Sequence, residues 1–295
     1  MAAHFEERVV RASKMNFTVL EMGKGPLVLC LHGFPDTAYS FRNQLPLLAD
    51  AGYHAVAPFM RGYSPTEPAP DGRYDSPVLS EDALALIDAL GYKEAIIFGH
   101  DWGAVAAYSA AAQAPNVVQK LITAAVPYGT SFFEALVTNY AQQRRSWYMF
   151  FFQTAIAEAA VSFNDFAFLE KMWADWSPGW KWTPEEMEAL KRCFRAKGTL
   201  EAAIGYYRAT LGPALKLPAQ PSAIATAMAA PIEVPTLMFH GRDDGCIGAE
   251  LLIGMEALFP RGLKIEVVPG AGHFVHQEKP ALVNRLMLQF LKSGI

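Results

Sequence analysis

Hydrophobic positions along the chain fall into two alternating patterns. Short apolar runs, typical of strands buried in a sheet, are separated by stretches in which apolar residues recur at helical spacing. The predicted strands are residues 8–12, 15–21, 27–31, 55–58, 95–98, 121–126, 236–240 and 265–268. Strands that alternate with helices in this way favour a parallel sheet covered by helices on both faces, with right-handed crossovers.

Capping residues mark the ends of the predicted helices. Ser80, followed by Glu81 and Asp82, is expected to begin a helix that ends at Gly91. Pro280 suits the first position of the last helix, because its missing N–H has no partner there in any case. Both segments carry apolar residues at helical spacing, so each is expected to pack one face on the sheet.

The alternation stops between about Tyr128 and about Ala230, where the sequence is aromatic and helical in pattern. We therefore predict a core domain of residues 1–127 and 231–295, into which a helical cap (lid) domain of residues 128–230 is inserted. The most hydrophobic run, Trp147 to Phe152, lies in this cap. It is too short to span a bilayer and predicts a buried helix.

Composition narrows the choice of function. The chain has 295 residues, of which 52% are hydrophobic and 18% charged, as expected for a compact soluble enzyme. Its net charge is −4 and it has no long cluster of lysine and arginine, which argues against nucleic acid as a partner. No segment predicts a membrane span, and the charged N-terminus does not resemble a secretory signal.

Cysteine and histidine usage predicts neither disulfides nor a metal site. The three cysteines are an odd number without paired spacing, which fits a reducing cytoplasm. The seven histidines show no zinc-like spacing, so we expect no metal and no cofactor. The residues are Cys30, Cys193, Cys246, His4, His32, His54, His100, His240, His273 and His276.

The most informative motif is Gly99-His100-Asp101-Trp102-Gly103, which follows the strand at 95–98. A glycine two residues before and two after a central polar residue is typical of a nucleophile elbow, a sharp turn between strand and helix. The central residue here is Asp101 rather than serine. A carboxylate that attacks carbon forms an ester, which an activated water must then cleave.

The later strand ends supply an acid and a histidine in the chain order expected for this elbow. Asp243 and Asp244 follow the strand at 236–240, and His273 lies in a glycine-rich loop after the next strand. Open parallel sheets bind ligands at these strand ends. Asp244 is preferred over Asp243 because it is the third residue after Gly241, which ends the strand. His276 is expected to be structural, and His32 and His100 are expected to shape their turns.

Together these motifs resemble the α/β-hydrolase superfamily over nearly the whole chain, and in particular its epoxide hydrolase and haloalkane dehalogenase branch. The matching segments are His32-Gly33-Phe34-Pro35, Arg61-Gly62-Tyr63-Ser64, the elbow, the acid loop and the histidine loop. The resemblance implies an α/β-hydrolase fold, with a mostly parallel, doubly wound sheet and an inserted helical cap. It also implies an oxyanion hole formed by the backbone N–H groups of Phe34 and Trp102.

Epoxide hydrolases place two cap tyrosines over the nucleophile, and Tyr148 and Tyr207 lie in sequence contexts that resemble those cap motifs, with Tyr206 as the competitor of Tyr207. A departing alkoxide is a stronger base than a halide, so it needs an acid such as tyrosine, whose ordinary pKa is about 10. We therefore expect an epoxide hydrolase that converts an epoxide and water to a vicinal diol. His273, supported by Asp244, would activate the water.

Two other functions stay open at this level. In a haloalkane dehalogenase, Trp102 and a cap tryptophan such as Trp147 would hold the halide, although Phe34 stands where those enzymes commonly have asparagine. A non-catalytic ligand receptor of the same fold would be expected to have a damaged triad. The abundant aromatic residues favour a small apolar aryl or alkyl epoxide as substrate. The particular epoxide, the selectivity and the oligomeric state, including a homodimer, are left open.

Overall fold

The computed structural model describes residues 5–216 and 230–293. Within these ranges eight strands form one sheet, in the order β1-β2-β4-β3-β5-β6-β7-β8. The strands are β1 (Glu6–Ala12), β2 (Met15–Met22), β3 (Leu27–Leu31), β4 (His54–Pro58), β5 (Ala95–His100), β6 (Val118–Ala124), β7 (Thr236–Gly241) and β8 (Leu263–Val268). The β1–β2 and β2–β4 pairs are antiparallel, and the remaining pairs are parallel.

Every predicted strand is present, and the central ones are buried on both faces. All residues of β3, β5 and β7 are buried, which explains their continuous apolar sequences. Strand β6 starts and ends earlier than the predicted range 121–126. It ends at Ala124 because Ala125 has a φ of 73°, which an extended strand cannot continue.

The helices outside the insert are α1 (Leu45–Asp50), α2 (Ser76–Ala89), α3 (Trp102–Gln113), α10 (Val275–Glu278) and α11 (Pro280–Lys292). Helix α11 begins at Pro280 as predicted, but the prediction that α2 begins at Ser80 is wrong. Asp75 is its N-cap, with the carboxylate accepting the Val78 N–H at 3.2 Å, and a proline follows within the first turn. Ser80 therefore lies one turn inside the helix.

A helical insert separates β6 from β7. Its described helices are α4 (Ser131–Thr138), α5 (Tyr140–Arg145), α6 (Trp147–Phe151), α7 (Ala157–Trp176), α8 (Pro184–Arg195) and α9 (Thr199–Lys216). The end of the predicted cap, residues 217–229, lies outside the described residues. The predicted fold class, a mostly parallel sheet with helices on both faces and a helical insert, is confirmed. No helix in the described ranges is long and apolar enough to cross a membrane.

Candidate active site

Asp101 occupies the tight turn between β5 and α3. Its φ of 52° and ψ of −120° are rare for a residue with a side chain, and such strain costs about 1–3 kcal/mol. Glycines permit the turn: a Cβ on Gly99 would lie 2.2 Å from the Gly103 carbonyl oxygen, and one on Gly103 would lie 2.0 Å from the Leu31 carbonyl oxygen. The glycine spacing seen in the sequence therefore follows from close packing of helix on strand.

The loop after β3 brings a backbone donor to this carboxylate. The Phe34 N–H donates to Asp101 Oδ1 at 2.7 Å. Gly33 allows the approach, because a Cβ there would lie 2.2 Å from the same oxygen. Trp102 is the first residue of α3, where no helical carbonyl is available to its N–H. Both amides of the predicted oxyanion hole thus belong to the segments that meet at Asp101.

The acid loop after β7 presents Asp244 to the histidine loop after β8. Asp244 Oδ2 lies 2.9 Å from His273 Nδ1, and Oδ1 accepts the N–H groups of Cys246 at 2.7 Å and Ile247 at 2.9 Å. The Asp244 side chain is therefore held from both sides. Asp243 is exposed, so the geometry brings Asp244 and not Asp243 to the histidine.

His273 lies between two carboxylates. Its Nε2 is 3.4 Å from Asp101 Oδ2, and the imidazole is completely buried. Burial alone would lower the pKa of His273, but the negative charge of Asp244 and the contact with Asp101 raise it well above its usual value. Burial likewise works against the charge of Asp244, but His273 keeps the pKa of that carboxyl below its usual value. The resting site therefore favours a protonated imidazole.

The two predicted cap tyrosines come from two helices of the insert and meet at one cavity. Tyr148 on α6 and Tyr207 on α9 line the same cavity as Asp101, and their rings meet edge to face at 5.5 Å between centroids. Burial raises the pKa of both hydroxyls well above 10, so both are protonated donors. Tyr206 donates instead to the Arg61 carbonyl oxygen at 2.8 Å. The structure therefore places Tyr207, and not its neighbour Tyr206, in the cavity.

The cavity beside Asp101 has a volume of about 50 Å³. Its walls come from the core and from the insert, and most of the side chains are apolar. Besides Asp101 and the tyrosines, they are Trp102, Val105, Val126, Pro127, Phe132, Phe133, Met149, Thr210 and Ile247. Apolar walls with a few converging polar groups are typical of a site for a small organic molecule.

Hydrogen bonds from the insert also hold the acid loop and the histidine loop in place. The sequence did not indicate these contacts. The carbonyl oxygen of Trp176, at the end of α7, accepts the N–H groups of Gly245 and His273, each at 3.0 Å. Gln142 on α5 donates to the Cys246 carbonyl oxygen at 2.9 Å. These contacts join residues 69 to 104 positions apart, and each involves a backbone group, so no local motif could reveal them.

Cys246 is a further neighbour that the sequence analysis missed. Its Sγ lies 3.3 Å from the Tyr148 hydroxyl oxygen. Its position two residues after Asp244 was the indication in the sequence that it lies close to the site. Burial raises the pKa of its thiol, which keeps it neutral.

Two buried groups of potential metal ligands occur in the part of the chain that the structure describes. They are Asp36, His100 and His276, and Asp244, Cys246 and His273. Both carboxylates are already engaged: Asp36 accepts from Thr37 N–H and the Gln277 side-chain amide, and Asp244 is held as described above. Hydrogen bonds therefore already engage the carboxylate of each group, and the expectation of no cofactor and no metal stays a prediction.

Trp147, the cap tryptophan considered for a halide site, is not brought to Asp101. Its side chain is 48% exposed and packs on Phe151 and Phe168, away from the cavity wall. The indole N–H of Trp102 is buried, and its ring contacts that of Tyr207 edge to face, at 5.0 Å between centroids. Phe34, packed edge to face against Phe152 and other rings, offers no side-chain donor beside it.

Comparison with known proteins agrees with this fold. A family model described as alpha/beta hydrolase fold matches residues 26–280. The chain therefore belongs to the α/β hydrolases. It is 33% identical over 298 residues to epoxide hydrolase 1 of Caenorhabditis elegans, an alignment that covers 98% of this chain and 71% of that protein. Epoxide hydrolase 4 of Homo sapiens is 32% identical, with 92% and 74% covered.

A solved structure shows the same relationship. The epoxide hydrolase of Bacillus megaterium, in complex with an inhibitor, is 29% identical and matches with a TM-score of 0.84 over 97% of this chain and 100% of that one. Within the α/β hydrolases, the chain belongs to the epoxide hydrolase family.

Proposed function

We propose that the protein is an epoxide hydrolase, which converts a small apolar epoxide and water to a vicinal diol through an ester on Asp101. One observation carries the proposal: two buried tyrosine hydroxyls, of Tyr148 and Tyr207, line the same apolar cavity as a carboxylate held in a nucleophile elbow. A carboxylate can open a strained ring only if the departing oxygen is stabilised, and these hydroxyls supply that stabilisation.

In the first step an oxygen of Asp101 attacks a ring carbon of the epoxide. The C–O bond of the ring breaks, and its electron pair stays on the departing oxygen. Tyr148 and Tyr207 donate hydrogen bonds to this oxygen, and one of them transfers its proton, because an aliphatic alkoxide is a stronger base than a phenolate. The product of this step is a hydroxyalkyl ester of Asp101. The tyrosinate takes up a proton from solvent, and His273, whose pKa falls when Asp101 loses its charge, releases one to solvent, so the imidazole is neutral for the second step.

In the second step His273 removes a proton from water, and the resulting hydroxide attacks the carboxyl carbon of Asp101. The Phe34 and Trp102 N–H groups stabilise the negative oxygen of the tetrahedral intermediate. The ester C–O bond to the carboxyl carbon then breaks, and the diol oxygen takes the proton from His273. Asp101 is released as a carboxylic acid with one oxygen from water, and it passes its proton to His273, which restores the resting carboxylate and imidazolium. Asp244 orients and stabilises the imidazolium.

The electrostatics of His273 lead to a pH prediction. Esterification neutralises Asp101, one of the two carboxylates that raise the pKa of His273. The pKa of His273 in the ester should therefore be lower than in the free enzyme, which makes the neutral base available. We expect the rate of ester hydrolysis to be lost as the pH falls through this lower pKa. Rapid-quench single turnovers over a pH series measure it.

The reference value for this prediction is the pKa of His273 in the free enzyme, from an NMR titration with the resonance assigned by its loss in His273→Gln. An acid limb of ester hydrolysis at or above that reference pKa would contradict the proposed charge coupling.

The direct test of the proposed function is an assay of diol formation from a small panel of epoxides that includes styrene oxide and a fatty epoxide. A bromoalkane of similar size is assayed in parallel for halide release. We expect diol from an epoxide and no halide from the bromoalkane. Halide release without diol would instead identify a dehalogenase.

The dehalogenase alternative has one observation in its favour, the buried indole N–H of Trp102 next to Asp101. A halide needs at least a second donor there, and the aromatic side chain of Phe34 provides none. Trp147 packs elsewhere. Two tyrosine hydroxyls in the same cavity as the carboxylate suit an alkoxide better, which is why we prefer the epoxide.

A further inference from the structure

The peptide groups on both sides of His273 are held by two side chains from outside the histidine loop. The Gly272 N–H donates to Glu278 Oε1 at 2.9 Å. The Phe274 N–H donates to Ser177 Oγ at 3.2 Å. The backbone direction at His273, and with it the direction of the imidazole, therefore depends on these two contacts.

A single carboxylate oxygen links the two contacts. The Ser177 hydroxyl donates to Glu278 Oε1 at 2.6 Å, the same oxygen that accepts the Gly272 N–H. One peptide group is thus tied to Glu278 directly and the other through Ser177, and hydrogen bonds that form such a chain strengthen one another. Ser177 is completely buried and directly follows α7, so the insert takes part in the network.

Glu278, the last residue of α10, is a costly choice for a position that only needs to be filled. Its second oxygen, Oε2, is buried and has no hydrogen-bond partner in the part of the chain that the structure describes. Burial raises the pKa of this carboxyl above its usual value, despite the hydrogen bonds to Oε1. An apolar side chain would avoid this loss of hydration, so the contacts of Oε1 best explain why a carboxyl group is placed here.

We propose that Glu278 is a positioning residue, which acts through Gly272 and Ser177 to keep the His273 imidazole directed at the water that attacks Asp101. This inference rests on the proposed function and concerns only its second step, in which His273 acts as the base. Ring opening does not use the imidazole as a base. Loss of the Glu278 carboxyl should therefore slow ester hydrolysis and spare ester formation.

Glu278→Ala and Glu278→Gln test the inference in single turnovers with an epoxide that the wild type hydrolyses. Rapid-quench mass spectrometry of the intact protein gives the rates at which the ester forms and disappears. We expect Glu278→Ala to lower the rate of ester hydrolysis about tenfold or more and to leave the rate of ester formation unchanged, because a small misplacement of the base is costly. Glu278→Gln keeps an oxygen that can accept from Gly272 and Ser177, so it should retain the wild-type ratio of the two rates.

Glu250→Ala is the matched control. The Glu250 carboxylate also joins the core to the insert, but its partner is Arg145 on α5, at 2.8 Å, rather than the histidine loop. This variant should retain both rates. An unchanged ratio of the two rates in Glu278→Ala, including an equal loss of both, would overturn the inference. If the wild type forms no ester at all, the proposed function fails instead.

Ser177→Ala keeps the inference testable if Glu278→Ala does not fold. It removes the acceptor of the Phe274 N–H and leaves the contact between Gly272 and Glu278 in place. We expect the same selective slowing of ester hydrolysis, with a smaller loss because one of the two contacts remains. Ester hydrolysis at the wild-type rate in Ser177→Ala would overturn the inference.

Discussion

Phenylalanine at both Tyr148 and Tyr207 is expected to abolish ring opening and to lower kcat/KM for an epoxide by about 10³-fold or more. The substitution removes only the two hydroxyls, so the apolar packing of the rings is retained. Without a hydrogen-bond donor the departing oxygen would leave as a bare alkoxide in a buried, apolar site. Intact-protein mass spectrometry after rapid mixing with epoxide measures the effect, because the variant should form no ester.

Tyr206→Phe is the matched control. It removes the adjacent hydroxyl, which bonds to the Arg61 carbonyl oxygen outside the cavity, and it should still form the ester. Each single variant, Tyr148→Phe or Tyr207→Phe, should retain part of the rate because one donor is left. Ester formation at the wild-type rate in the double variant would mean that the two tyrosines serve only in packing.

His273→Gln is expected to stop the reaction after its first step. The variant keeps Asp101, the tyrosines and the oxyanion-hole amides, so ring opening can still occur, but no base remains to activate water. Turnover should fall by about 10³-fold or more, and the protein should gain the mass of one epoxide on the peptide that contains Asp101.

Asp101→Ala is the control for this experiment, since it should gain no mass under the same conditions. Accumulation of the ester is a signature that a merely structural role of His273 would not produce. Rapid turnover by His273→Gln, or the absence of any adduct, would contradict the assignment of the water activator.

The fold was predictable because its strands are local in sequence and buried in the sheet. Strands β3, β5 and β7 are continuous apolar segments, and only a sheet covered on both faces buries them completely. The start of α2 was predicted four residues too late, because Ser80 looks like a cap although Asp75 already caps the helix. The capping pattern identified the helix correctly, but Asp75 and Ser80 are both acceptable N-cap residues, and the prediction chose the later one.

Much of the candidate site was also accessible from sequence. The elbow glycines mark Asp101, and the strand ends mark the acid and histidine loops. Exposure then separates Asp243 from the buried Asp244, and the hydrogen bond to the Arg61 carbonyl separates Tyr206 from Tyr207, which lines the cavity.

Contacts between the insert and the core were beyond the sequence. The Trp176 carbonyl that holds the acid and histidine loops, the pairing of Gln142 with Cys246, and the unpaired hydroxyl of Thr210 all depend on how the insert packs over the sheet. The first two are contacts between distant positions that involve backbone groups, and the third is the lack of a hydrogen-bond partner among the described residues. Neither leaves a periodic or motif-like trace in the sequence.

A single turnover in ¹⁸O-labelled water, with enzyme in excess over epoxide, tests the covalent mechanism most directly. If an ester forms on Asp101 and water attacks its carboxyl carbon, the first diol carries no label, and one labelled oxygen appears in the peptide that contains Asp101. If water attacks the epoxide directly, the first diol carries the label and Asp101 does not. The proposed mechanism predicts the first result, and the second would contradict it.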